Sequence, residues 1–156
     1  MDPVISPTWE TLEFGNRRLF KLLEGMTPEQ LAERPEGFQN SIAALIVHMA
    51  GEEAQFAHWL HAKPIPDDLV REYLLNQAQP PLPQPKGETA DSLRGKILKA
   101  RNLLKDALMG LKAADLDRVI DLPPDTKATV RWQLALVGYH TTCHFGQMQM
   151  IKQHLK

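Results

Sequence analysis

The sequence predicts an all-α protein: an antiparallel four-helix bundle with long crossing connections, folded as one domain over residues 1–156. Three observations carry that prediction. Four long segments repeat apolar residues at helical spacing. No two segments alternate convincingly as paired strands. A bundle is the commonest way to bury four apolar stripes. A chain of 156 residues suits a single domain whose core needs no staples.

The first helix is expected over about residues 8–24, with Trp9, Leu12, Asn16, Leu19, Phe20 and Leu23 on one face. Thr27-Pro28-Glu29-Gln30 then supplies an N-cap, a proline in the first turn and a glutamine at N3. That capping box opens a short helix reaching to about residue 34. The second long helix spans about residues 41–61, carrying Ile42, Leu45, Met49, Phe56 and Leu60, with Asn40 or Ser41 as its cap.

A short helix over about residues 67–77 is expected next. Residues 80–87 hold four prolines and cannot be helical throughout, so they read as an extended strap across the molecule. The third long helix, about residues 90–111, has the stripe Leu93, Ile97, Ala100, Leu104, Leu108 and Leu111, purely apolar on its inner face. Thr89 caps it, and Ser92 at N3 in place of Glu or Gln predicts no capping box. Residues 116–130 hold Pro123-Pro124 and read as an ordered loop or a brief hairpin. The fourth long helix covers about residues 130–155.

Composition excludes several classes. An apolar content of 43% and a charged content of 24% are ordinary for a soluble globular chain. The net charge is −1 with no basic block, so no nucleic-acid partner is expected. No run approaches the roughly 18 apolar residues of a membrane span. The first residues lack the basic and apolar regions of a secretory signal. One cysteine leaves no intrachain disulfide, and a cytoplasmic location is expected.

His140 and His144 lie four apart on the fourth helix, and i,i+4 side chains are neighbours on one face. At about 100° per residue, His144 lies about 40° from His140, Gln147 about −20° and Ile151 about 20°. The histidines therefore share the apolar, inward stripe. On the second helix His48 shares its stripe with Leu45, Glu52, Gln55 and Trp59. Asn16 stands between Leu12 and Leu19 on the first. Inward polar groups are costly unless paired or wet.

A polar pocket lined by His48, His140 and His144 satisfies all of them. Three neutral imidazoles with open positions make a catalytic-type metal site, and they do not choose the metal. The alternative is a buried hydrogen-bond network without metal. Glu52, one turn from His48, is a ligand, a group orienting a ligand, or a base. Asn16, Gln55, Cys143 and Gln147 are candidates for the pocket and the groups behind the ligands. Cys143 reads as a small core hydrophobe, or else as a thiolate beside the metal. His58, His61 and His154 read as surface residues, and Trp9, Trp59 and Trp132 as core or pocket wall.

The stretch Ser41-Ile42-Ala43-Ala44-Leu45-Ile46-Val47-His48-Met49, with His140-x-x-x-His144-x-Gly146-Gln147 about ninety residues later, resembles the DinB-like superfamily of metalloenzymes (DinB/YfiT-like) over nearly the whole chain. That resemblance implies a four-helix bundle of unusual connection order. It implies a divalent metal on a histidine triad falling at His48, His140 and His144, with zinc, nickel, iron and manganese all open. It further implies a small-molecule substrate, possible use of a low-molecular-weight thiol, and a homodimer. Cys143 stands where a further histidine is common in that family, and Phe145 where arginine is common. The expected activity is a thiol S-transfer or a hydrolysis with Glu52 as proton acceptor. The alternative is a non-catalytic, stress-related protein that binds metal or ligand.

Overall fold

A computed structural model describes residues 1–61, 64–67, 81–122 and 126–155. Among these, five α-helices and a two-stranded sheet form. The helices are α1 (Ser6–Leu23), α2 (Pro28–Ala32), α3 (Ile42–His61), α4 (Ala90–Gly110) and α5 (Val130–His154). The strands are β1 (Val119–Leu122) and β2 (Thr126–Thr129), preceded by a 3-10 turn at Ala113–Asp115. No helix among the described residues is long and apolar enough to cross a membrane. The short helix expected at 67–77 falls mostly outside the described residues.

Caps set the helix starts. Thr27 accepts from the Gln30 amide while Gln30 Oε1 accepts from the Thr27 amide, so the capping box at α2 forms as read. Ser41 Oγ accepts from the Ala44 amide and caps α3. Asn40 is used elsewhere, taking the Leu82 amide at 2.8 Å. At α4 the expectation fails. Ser92 Oγ accepts from the Thr89 amide at 2.8 Å and Thr89 Oγ1 from the Ser92 amide at 3.1 Å, so a reciprocal box forms. A hydroxyl reaches back as a glutamate would. Residues 119–129 take the hairpin option, with Val119 opposite Thr129, and Ile120 and Leu122 buried.

Helix directions follow from which residues meet. Glu53 meets Arg101, and farther along both helices His61 meets Ala107, so α3 and α4 run parallel. Gly15 faces Thr141 and Leu22 meets Lys152, so α1 and α5 also run parallel. Leu12 meets Arg101 and Phe20 meets Arg94, so α1 and α4 are antiparallel. Parallel α3 and α4 oblige the chain to return the length of α3, about 30 Å at 1.5 Å per residue. The chain is back at the start of α3 by the proline strap. Its end is pinned beside the start of α3, where Ser41 Oγ donates to Gln84 and Arg34 donates to the Leu82 carbonyl.

The inner face of α4 is not purely apolar. Arg101 is 1% exposed and binds fully buried Glu53 through two hydrogen bonds, one of them 2.6 Å from Nε to Oε2. Its Nη1 also donates to the Leu12 carbonyl at 2.7 Å. One guanidinium therefore joins α1, α3 and α4. Trp132, expected in the core or a pocket wall, is 49% exposed, because its position on α5 points away from both core clusters.

Breaking a buried ion pair leaves one charge without compensation, at a cost of about 3–5 kcal/mol. Glu53→Gln or Arg101→Met should each lower unfolding free energy by about that amount. Glu53→Leu combined with Arg101→Met should recover most of it. Urea denaturation of the three variants checks this, and additive losses in the double variant would contradict it.

Candidate metal centre

Three histidines from two helices converge at the α3–α5 contact. His48 comes from the first half of α3, and His140 and His144 from successive turns of α5. Nε2 of His140 lies 3.2 Å from Nε2 of His48 and 3.1 Å from Nε2 of His144. All three ligand atoms lie within 4.8 Å of one another. The rings meet at steep angles, 83° between His140 and His144 and 88° between His48 and His144. They are edge-on to a shared point rather than stacked.

The spacing can be tested against a metal. Metal–nitrogen bonds of about 2.0–2.1 Å at tetrahedral angles place ligand nitrogens roughly 3.3 Å apart. The observed 3.1 and 3.2 Å are close to that edge. Proton counting points the same way. Gln147 Oε1 lies 2.7 Å from His144 Nδ1, and an amide oxygen only accepts, so Nδ1 carries the proton and Nε2 presents a lone pair. His140 Nε2 then faces two ring nitrogens, and a single proton cannot bridge both contacts linearly. A cation satisfies all three nitrogens at once. The residues fit a divalent metal.

Electrostatics favour the neutral form of His140 and His144. Burial, helped by repulsion from His144 and His48 when charged, lowers the His140 pKa from 6.5 to about 3. Burial also lowers His144, partly opposed by its bond to Gln147. Neutral imidazole is the ligating form. Glu52 is half-buried, and burial raises its carboxyl above the usual glutamate range. Phe56 closes the site on one side, its ring 6.3 Å from that of His140 and 5.6 Å from Trp59.

The remaining candidates divide. Gln147 sits where expected, behind a ligand nitrogen. Glu52 is not in the group of converging ligand atoms. Gln55 is half-buried on the same helix. Asn16 is buried on α1, its Oδ1 without a hydrogen-bond partner. Cys143 is exposed, contrary to the core reading, because it lies about 60° round α5 from His140 on the side away from the core. His61, read as surface, is half-buried with Nε2 against the Ala107 carbonyl. His154 is exposed as read. Sequence reasoning missed Gln133 and Thr141, both buried with side-chain atoms lacking partners. Gln133 could have been found, since it lies two turns before His140 on the same stripe.

Three imidazoles brought to one point by two helices fit a metal-binding site in a helical protein. The sequence comparisons make this specific: the profile of the DinB superfamily matches residues 11–148, and the chain belongs to that superfamily. Membership and the histidine cluster together fit a metal-binding protein. The chain is similar to the uncharacterized protein YuaE of Bacillus subtilis (strain 168), 26% identical over 146 residues, covering 86% of this chain and 90% of that protein. Its fold is similar to the crystal structure of a conserved protein from Enterococcus faecalis, with a TM-score of 0.76 at 19% identity. That match covers 99% of this chain and 98% of the other.

Two outcomes follow. Groups that orient a ligand histidine are typically worth about 10–100-fold in metal affinity, so Gln147→Leu should weaken binding by about that factor, read by competition with a chelating dye. In metal-stripped protein, His140 titrates at about 3 when folded, against an ordinary value of 6.5. The unfolded chain therefore takes up the proton first as pH falls, and stability is lost across that window. Denaturation at a series of pH values should show a shallower loss for His140→Asn than for the wild type.

Proposed function

We propose that this chain is a divalent-metal-dependent enzyme of small-molecule metabolism, acting as a thiol S-transferase or a hydrolase. The reading rests on one observation: three imidazole nitrogens converge at the spacing a single cation requires. His48, His140 and His144 are the proposed ligands, in a single domain of residues 1–156 that forms a four-helix bundle of the DinB type. The metal is one of zinc, nickel, iron or manganese. When bound it supplies Lewis acidity, which makes a thiol or water more acidic at neutral pH.

The chain's own residues do the rest. Gln147 holds the His144 Nδ1–H and so keeps Nε2 turned to the cation. Burial raises the Glu52 carboxyl above the usual glutamate range, which makes it a stronger proton acceptor, so Glu52 is the proposed general base. Phe56 and Trp59 exclude water from one side. A homodimer is also proposed. Trp132, Tyr139 and Met150 are 49%, 68% and 56% exposed and lie along one line of α5, offering apolar area to a second copy.

Elemental analysis of protein purified from its native host should give about one metal per chain. His144→Ala should lose it, and unchanged metal content in that variant would overturn the ligand assignment. The protein loaded with each metal should consume a thiol in the presence of an electrophile, or hydrolyse an ester or amide. Glu52→Gln should keep its metal and slow turnover by about 10²–10⁴-fold. No metal-dependent turnover with any of the four metals would remove the enzymatic reading.

A further inference from the structure

A second feature lies on α5, away from the histidines. Between α1 and α5 runs a groove of about 580 Å³, bordered by Phe14, Arg18, Lys21, Phe145, Gln149 and Lys152 among others. Three cations line it and no carboxylate does. Its volume falls within the roughly 300–1,000 Å³ typical of small-molecule pockets. The chain as a whole carries a net charge of −1, so this concentration of positive charge is local.

Elsewhere four surface cations have carboxylate partners. Arg94 pairs with Asp91, Lys96 with Glu88, Lys127 with Asp121 and Arg131 with Asp117. Arg18, Lys21 and Lys152 form no ion pair among the described residues. Arg18 is nonetheless fixed in place. Its guanidinium carbon lies 5.6 Å from the centroid of the Phe14 ring and 5.2 Å from that of Phe145. A guanidinium held by aromatic faces keeps its in-plane N–H groups free to grip a carboxylate or phosphate bidentately. Lys152 donates one Nζ proton to the Leu22 carbonyl at the end of α1, leaving two. Phe14, 53% exposed, leaves apolar area open beside these cations.

We propose that this groove binds a small aromatic anion, an aryl phosphate or aryl carboxylate. The anionic group lies on Arg18, with Lys21 and Lys152 adding charge, and the ring lies against Phe14. A second copy of the chain docked symmetrically here would set Arg18, Lys21 and Lys152 against their own images, which disfavours that occupant. None of the residues bordering the groove belongs to the histidine triad, so the proposal is independent of the metal.

The test is titration of metal-stripped, full-length protein with phenyl phosphate and with benzoate, followed by amide NMR shifts and calorimetry. Saturable binding is expected, with shifts confined to Phe14, Arg18, Lys21, Phe145 and Lys152, and affinity falling with added salt. Phenol, which lacks the anion, should bind at least about tenfold more weakly. Arg18→Gln should weaken phenyl phosphate by at least about tenfold, and Arg18→Lys should recover little of it, because the bidentate and stacking geometry is lost. Lys21→Gln with Lys152→Gln gives a second variant should Arg18→Gln not fold. The proposal is overturned by absence of saturation, by shifts centred on the histidines, by unchanged affinity in both variants, or by a wild-type dimer that Arg18→Gln turns into a monomer.

Discussion

The buried pair of Glu53 and Arg101 sets the rotation of α3, the helix that brings His48 to the site. Arg101 holds both carboxylate oxygens of Glu53 and the carbonyl of Leu12, so α1, α3 and α4 meet on one guanidinium. A charge so deep has no water to fall back on, and any rotation of α3 that turned Glu53 away would leave Arg101 uncompensated. With Glu53 pinned inward, His48 lies about 140° round the same helix, which turns it away from α4 and toward α5. The ion pair thus acts as an angular reference for the histidine.

Chain direction supplies the second constraint. α3 and α4 run parallel, which a short loop cannot achieve. The chain is back at the start of α3 by the proline strap, which is tied at Leu82 and Gln84 to Arg34, Asn40 and Ser41. That tie lies just before α3, about two turns from His48. A stiff, hydrogen-bonded crossing at that point fixes the start of the helix whose first half carries a ligand. The hairpin does the same for α5, with buried Ile120 and Leu122 anchoring β1, against which the strand that leads into the helix is paired.

What the sequence disclosed depended on whether a residue's chemistry agreed with its position. The four long helices were legible because their apolar stripes and caps pointed one way. The triad was legible because histidine on an apolar stripe is a local contradiction that a site resolves. Arg101 carried the same contradiction, three residues before Leu104 and four after Ile97, yet it passes for a surface arginine on residue type alone. Glu52 and Glu53 are adjacent, and periodicity by itself does not say which one turns inward. Cys143 was misplaced for the opposite reason: the burial preference of cysteine was given more weight than its angle on α5. Helix direction was misread: the antiparallel arrangement expected of the bundle fails for α3 with α4 and for α1 with α5, which run parallel, since strap length permits a crossing without dictating one.

The two faces of α5 make opposite electrostatic demands. At the triad, burial removes positive charge from the rings and leaves lone pairs, an environment suited to a cation. In the groove against α1, Arg18, Lys21 and Lys152 concentrate positive charge without a carboxylate partner among the described residues, an environment suited to an anion. Phe145 and Gln149 lie about 140° and 180° round the helix from His140, so the body of α5 stands between the two. The separation has a physical use. Three cations adjoining the triad would repel a divalent metal, and a metal adjoining the groove would compete for its anion. One helix can serve both because a period of 3.6 residues lets ligands recur every third or fourth position while leaving the far side free.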